Sequence, residues 1–166
     1  MKKIFASILL CTMLFAILPL AVTPVAAHTE EGAFKIDLIA GQHTDVGDIL
    51  VWGDSNHVYI RIITTGNWKI TELHIDVATD CTLIPQTRSG NPIPGQFQYK
   101  HTFSPSVSET PIITIDLAGN EINAQTLCVA VHAVVAQSCQ GAVWNQQTAW
   151  GNGDDFPGAN WGMCFT

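Results

Sequence analysis

The residues best suited to chemistry are Glu72, His74 and Asp76, which alternate along the chain, and the more distant His132. Alternate residues of an extended strand point to the same face, about 7 Å apart. The first three side chains can therefore ligate one divalent cation or act as an acid and a base. Alternatively, these three side chains form the solvent-exposed face of a half-buried strand, where polar and apolar residues alternate in the same way.

His132 stands in an apolar run from Val129 to Val134, which predicts that its side chain is buried. A buried imidazole needs a hydrogen-bond partner. If the strands of His74 and His132 are neighbours, these histidines and Glu72 or Asp76 form a shared metal or acid–base site. In the alternative, His132 is a core histidine whose nitrogens are satisfied by hydrogen bonds.

Aromatic residues near the C-terminus, namely Trp144, Trp150, Phe156 and Trp161, alternate with Asn, Gln and Asp. A planar ring flanked by amides suits a sugar, because the sugar face stacks on the ring and the polar groups hold its hydroxyls. This pattern predicts a surface polysaccharide or another extracellular polymer as the ligand. The alternative is that the rings fill the ends of the fold, where large aromatics are usually buried.

The elements that must position these residues are short strands, since the apolar pattern has period two and Gly, Pro, Asn and Asp punctuate it. The clearest hairpin signal is the turn from Gly53 to Asn56. Residues 80–105 form a long irregular excursion with one short strand near 96–103, and long loops are often functional. Strands are predicted at residues 34–40, 49–52, 57–64, 68–79, 111–117, 127–136 and 161–165. This pattern predicts an all-β, antiparallel two-sheet β-sandwich, with a small β-barrel as the alternative.

The N-terminus has the pattern of a helical signal peptide spanning residues 1–27. Lys2 and Lys3 precede an apolar run over residues 4–22, and small residues end at Ala27. We expect cleavage after Ala27, which leaves residues 28–166 as one secreted domain. The alternative is that the segment is retained as a membrane anchor.

The charge of the chain is acidic, with 14 acidic and 7 basic residues and a net charge of -7. Removing residues 1–27 takes away two lysines, so the mature charge is 5 minus 14, or -9. Nucleic acids and anionic membranes bind basic faces, so this balance excludes nucleic acid and, after signal cleavage, membrane as partners. We expect a secreted or cell-surface location, and the oligomeric state stays open.

The mature chain keeps four cysteines, Cys81, Cys128, Cys139 and Cys164. An even number in an exported chain predicts two disulfides, and the sequence leaves the three pairings open. A zinc site is the alternative, although no two of these cysteines have the close spacing of a metal knuckle.

Short stretches of the mature chain resemble an uncharacterised exported β-rich module that recurs in archaeal and bacterial secreted or cell-surface proteins. The stretches are TTGNW at 64–68, ITELH at 70–74, IPQT at 84–87, GNPIPGQF at 90–97, HAVV at 132–135 and TAWG at 148–151. The resemblance implies a secreted or surface module and supplies no catalytic residues.

No known enzyme motif is present: there is no nucleophile elbow, no zinc-protease helix motif and no phosphate-binding glycine loop. The sequence therefore favours a binding or structural module, and leaves enzymatic activity open. The alternatives are an extracellular hydrolase that uses His74, Glu72 and His132, with or without a divalent cation, and a structural subunit of an extracellular assembly.

Overall fold

The computed structural model describes residues 30–118, 126–139 and 142–166, without the side chains of 138, 139 and 142–144. The predicted signal peptide lies outside the described residues. Within them, no helix is both long and apolar enough to cross a membrane.

The described chain is built of antiparallel strands, which confirms the predicted all-β class. The strands are β1 (Phe34–Ala40), β2 (Thr44–Gly53), β3 (His57–Thr64), β4 (Trp68–Ala78), β5 (Tyr99–Val107), β6 (Ile113–Asp116), β7 (Cys128–Cys139), β8 (Ala142–Gly151), β9 (Asp154–Asp155) and β10 (Met163–Cys164). Eight of them form one sheet in the order β5-β4-β7-β8-β1-β2-β3-β6, and β9 pairs with β10 in a small second sheet.

The large sheet curls into a half-barrel around its own core. β3 and β4 are five places apart in the sheet order, yet Ile60 and Ile62 of β3 belong to the same buried cluster as Ile70 and Leu73 of β4. All four side chains are fully buried. The sequence predicts two facing sheets, whereas one curled sheet supplies both walls of the core.

Irregular pairing helps the sheet to curl. The strand register shifts between Leu38 and Ile39, between Ile70 and Glu72, and between Gln137 and Ser138. A bulge adds a residue to one strand, bends it and increases the local twist. The sequence pattern counts strands but does not locate bulges, so it could not distinguish one curled sheet from two flat ones.

The outer face of β4, β7 and β8 is covered by residues 80–98 and by residues 152–166, which contain β9 and β10. They form a second buried cluster, which consists of Ala78, Ile84, Phe97, Cys128, Ala130, Trp150, Phe156, Met163 and Cys164. The middle of the sheet is therefore buried on both faces, which explains why the β7 sequence is apolar on both sides.

Candidate functional site

His74 and His132 lie opposite each other on neighbouring strands, as the shared-site prediction required. They are register partners in the β4–β7 pair, and their Nδ1 atoms are 3.2 Å apart. Glu72, two residues before His74 on β4, places Oε1 3.1 Å from His74 Nε2. The structure thus brings together three of the four predicted residues in one row across two strands.

The hydrogen-bond partners determine the tautomers in this row. The carboxylate of Glu72 can only accept, so His74 donates its Nε2–H and keeps Nδ1 as an acceptor. His132 then donates its Nδ1–H to that acceptor. Burial, together with the neighbouring His74, lowers the pKa of His132 to about 4, and burial also lowers the pKa of His74. The row is a carboxylate–imidazole–imidazole chain with neutral rings at pH 7.

Asp76, the fourth predicted ligand, makes a different contact. Its buried carboxylate accepts the backbone N–H of Gln98 at 2.9 Å. Burial raises the pKa of Asp76. Asp76 therefore anchors the covering segment to the sheet, and a metal role for it with His74, Glu72 and His132 stays a prediction.

Two of the predicted aromatic residues are buried. Trp150 and Phe156 are each 4% exposed, and their ring centroids lie 6.1 Å apart in an edge-on contact. Trp150 also packs edge-on against His132, with ring centroids 4.9 Å apart. A ligand could reach these two rings only if the covering segments moved away from the sheet, so a binding role for them stays a prediction. The side chain of Trp144 lies outside the described residues.

Trp161 is partly exposed and lines a surface depression, which we call the Trp161 groove. The groove has a volume of about 250 Å³. Its lining consists of Gln42, Asp155, Phe156, Gly158, Ala159, Asn160 and Trp161. It therefore combines a partly exposed indole with an amide from each of two segments and one carboxylate.

Backbone contacts between two loops hold one side of this groove. Gly158 donates its N–H to the carbonyl of Gly90 at 3.1 Å, and Asn160 donates its N–H to Asn91 Oδ1 at 2.8 Å. A Cβ atom on Gly158 would lie 2.5 Å from Asn91 N and 2.6 Å from the carbonyl carbon of Gly90. The close approach thus requires glycine, and it positions Asn160 and Trp161.

The described cysteines form one disulfide, between Cys81 and Cys128. Cys164 is a buried free thiol, and the side chain of Cys139 lies outside the described residues. Burial and the nearby Asp154 and Asp80 raise the pKa of Cys164 to about 11. The structure thus gives one of the two predicted disulfides and leaves Cys164 unpaired.

The comparisons with known proteins identify no relative. No family model, curated protein or solved structure matches the chain.

Sequence reasoning missed Gln42 and Asn160, the two amides of the Trp161 groove. Gln42 follows β1, far from the aromatic segment in sequence, and has a positive φ of 75°. Such a backbone angle is uncommon outside glycine, and the sequence around Gln42 contains no signal for it. Asn160 adjoins Trp161, so an amide next to an exposed tryptophan was the signal that could have found it.

Proposed function

We propose that this protein is a secreted or cell-surface module that binds a polysaccharide or another extracellular polymer at the Trp161 groove. The observation that carries the proposal is the composition of the groove: the partly exposed Trp161 beside Gln42, Asp155 and Asn160. A sugar presents an apolar face and a rim of hydroxyls, and these match an indole and hydrogen-bonding side chains.

The size of the groove favours a segment of a polymer over a large compact ligand. Sites for drug-sized ligands have volumes of about 300–1,000 Å³, whereas the Trp161 groove has about 250 Å³. A groove of this size holds about one sugar unit, so the affinity would depend on further contacts between the protein and neighbouring units of the polymer. The carboxylate of Asp155 disfavours acidic polymers and favours neutral or amino sugars.

Two features support the export part of the proposal. The apolar segment after Lys2 and Lys3 has the pattern of a signal peptide. The disulfide between Cys81 and Cys128 suits an oxidising compartment, where such bonds persist.

The test is co-sedimentation of residues 28–166 with a panel of insoluble polysaccharides and cell-wall preparations. We expect retention on at least one of them, and Trp161→Ala should weaken it about tenfold or more, as the loss of an aromatic anchor does. Trp52→Ala is the matched control, because Trp52 is also partly exposed but stacks on Tyr59 away from the groove. Absence of retention on every preparation, or equal loss in both variants, would contradict the proposal.

A second candidate function is acid–base catalysis, which the Glu72–His74–His132 row favours. The separations of 3.1 and 3.2 Å allow a proton to pass along the row, with Glu72 stabilising a charged His74. The test is hydrolysis of the retained polymer or of its soluble oligomers. His74→Ala should abolish any turnover while leaving retention intact, whereas turnover that survives this change would exclude the row as the catalyst.

A further inference from the structure

Three cysteines that are far apart in sequence converge on one point. The Sγ atoms of Cys81, Cys128 and Cys164 all lie within 4.8 Å of one another. No other set of three His, Cys, Asp or Glu side chains in the described part of the chain meets this spacing. None of the three cysteines lines the Trp161 groove or belongs to the histidine row.

The fold explains the convergence. Val129 and Phe165 exchange two backbone hydrogen bonds, of 2.8 and 3.0 Å, and so lie directly opposite each other. Cys128 and Cys164 each adjoin this pair, and both point into the second buried cluster. The disulfide then brings in Cys81 from the start of the covering segment.

A cavity of about 170 Å³ gives access to the cluster. Cys81 and Cys164 line it, together with Asp154. The carboxylate of Asp154 acts on the Cys164 thiol and makes this cavity attractive to cations. The site therefore combines sulfur ligands with an acidic approach route.

We infer that reduction of the Cys81–Cys128 disulfide converts this cluster into a three-thiolate site for a borderline or soft divalent cation such as Zn²⁺. A dithiol supplies two electrons and two protons to the disulfide and is itself oxidised to a disulfide. The cation then binds three thiolates and releases their three protons. With Zn–S distances of about 2.3 Å, sulfur atoms around one zinc lie about 4 Å apart. Cys164 Sγ already lies within 4.8 Å of the other two sulfurs, and reduction lets the Cys81 and Cys128 sulfurs separate to that spacing.

Zinc in proteins is usually four-coordinate, so a water molecule that enters through the cavity could complete the three-thiolate set. In the oxidised protein two of the three sulfurs are bonded to each other, so they cannot act as thiolates. The site thus exists in one redox state and is absent in the other.

The test uses the mature chain carrying Cys139→Ser, which removes the one mature cysteine outside the cluster. The protein is reduced with a phosphine under anaerobic conditions and titrated with Co²⁺ as a spectroscopic probe. We expect one equivalent to bind, with thiolate-to-cobalt charge-transfer bands and the visible absorption of tetrahedral cobalt. One equivalent of Zn²⁺ should displace it, and the oxidised protein should show none of these bands.

The matched variant adds Cys164→Ser, which leaves the disulfide cysteines intact and should remove the bands after reduction. Unchanged bands in this variant, or no bands in the reduced parent, would overturn the proposal. Far-ultraviolet circular dichroism is recorded in parallel. If reduction unfolds the protein, Zn²⁺ should restore the β spectrum of the parent but not of the variant, and failure to do so would also count against the site.

Discussion

At the scale of single residues, His132 is an imidazole that the fold keeps uncharged. Its Nδ1 meets His74 Nδ1, and its ring packs against Trp150. The charged groups that face this pair are Glu72 on β4 and Lys100, the register partner of His74 on β5. Burial is the main cause of the low pKa, so protonating His132 in the folded state is costly.

This predicts a pH-dependent loss of stability with a defined sign. The pKa of His132 falls from 6.5 to about 4 on folding, so between these values the unfolded chain binds more protons. Stability should therefore fall as the pH falls from about 6.5 to about 4, by on the order of 2 to 3 kcal/mol from this group. Urea unfolding at pH 7 and at pH 4.5 measures the difference.

His132→Gln is the control for this prediction, since the amide keeps hydrogen-bonding atoms but does not titrate. Carboxylates lose their charge in both proteins over the same range, so the comparison isolates the histidine. The free energy of unfolding of the variant should change less between these two pH values than that of the parent. Parallel curves for the two proteins would show that His132 is not the group responsible.

A second prediction for a single residue concerns Glu72, whose carboxylate raises the pKa of His74 against the effect of burial. Glu72→Gln removes that charge but keeps an oxygen acceptor. The pKa of His74, followed by NMR of its ring protons, should fall in the variant. An unchanged or higher value would mean that the carboxylate does not interact with this ring.

At the scale of elements, the loop contact that shapes the Trp161 groove should be sensitive to one added methyl group. Gly158→Ala would place Cβ against the side chain and backbone of Asn91. We expect a loss of about 1 to 3 kcal/mol in stability, together with weaker polymer retention. Gly95→Ala is the control, because no atom lies within 4 Å of its Cβ position. Equal stability of the two variants would contradict the close approach.

The sequence predicted some elements closely and missed others for a physical reason. β1 and β3 match their predicted ranges, because their apolar and polar residues alternate between well-marked turns. The hairpin between β2 and β3 also matches: Asp54 N donates to His57 O at 3.0 Å, and Asn56 N donates to Asp54 Oδ1 at 2.7 Å. Local sequence was sufficient for these elements.

β8 was not predicted, although it lies in the interior of the sheet between β7 and β1. Its middle residues, 146–148, are polar and exposed, so the segment reads as a loop. The side-chain amide of Asn145 donates to Gln137 Oε1 at 3.1 Å, and that of Gln147 donates to Asn145 Oδ1 at 3.0 Å. The first bond depends on the pairing of β7 with β8, and the second joins two residues of β8 itself. Neither leaves a periodic signal in the sequence.

One candidate site could be predicted from local sequence, whereas another depends on tertiary structure. The alternation of Glu72 and His74, with an isolated His132 in an apolar strand, predicted the histidine row. The convergence of Cys81, Cys128 and Cys164 depends on the pairing of Val129 with Phe165, which lies 36 residues away, and local spacing cannot reveal it.

At the scale of the whole molecule, one curled sheet should behave as one cooperative core. Ile60 on β3 is fully buried, and its cluster includes residues of the distant strand β4. Ile60→Ala should lower the free energy of unfolding by about 2 to 5 kcal/mol. Probes in both halves of the sheet should report one shared unfolding transition, with its midpoint lowered. Ile112→Ala, at a residue that is 50% exposed, should change little. Separate transitions for the two halves would contradict a shared core.

The most direct test of the central claim, polymer binding at the Trp161 groove, is an NMR titration of the indole N–H signals. The ligand is a soluble oligomer of whichever polysaccharide retains the protein. The signal of Trp161 should shift in a saturable way, while those of Trp52 and the buried Trp68 should stay in place. If the oligomer binds and shifts other signals but leaves Trp161 unchanged, binding occurs elsewhere and the claim is wrong.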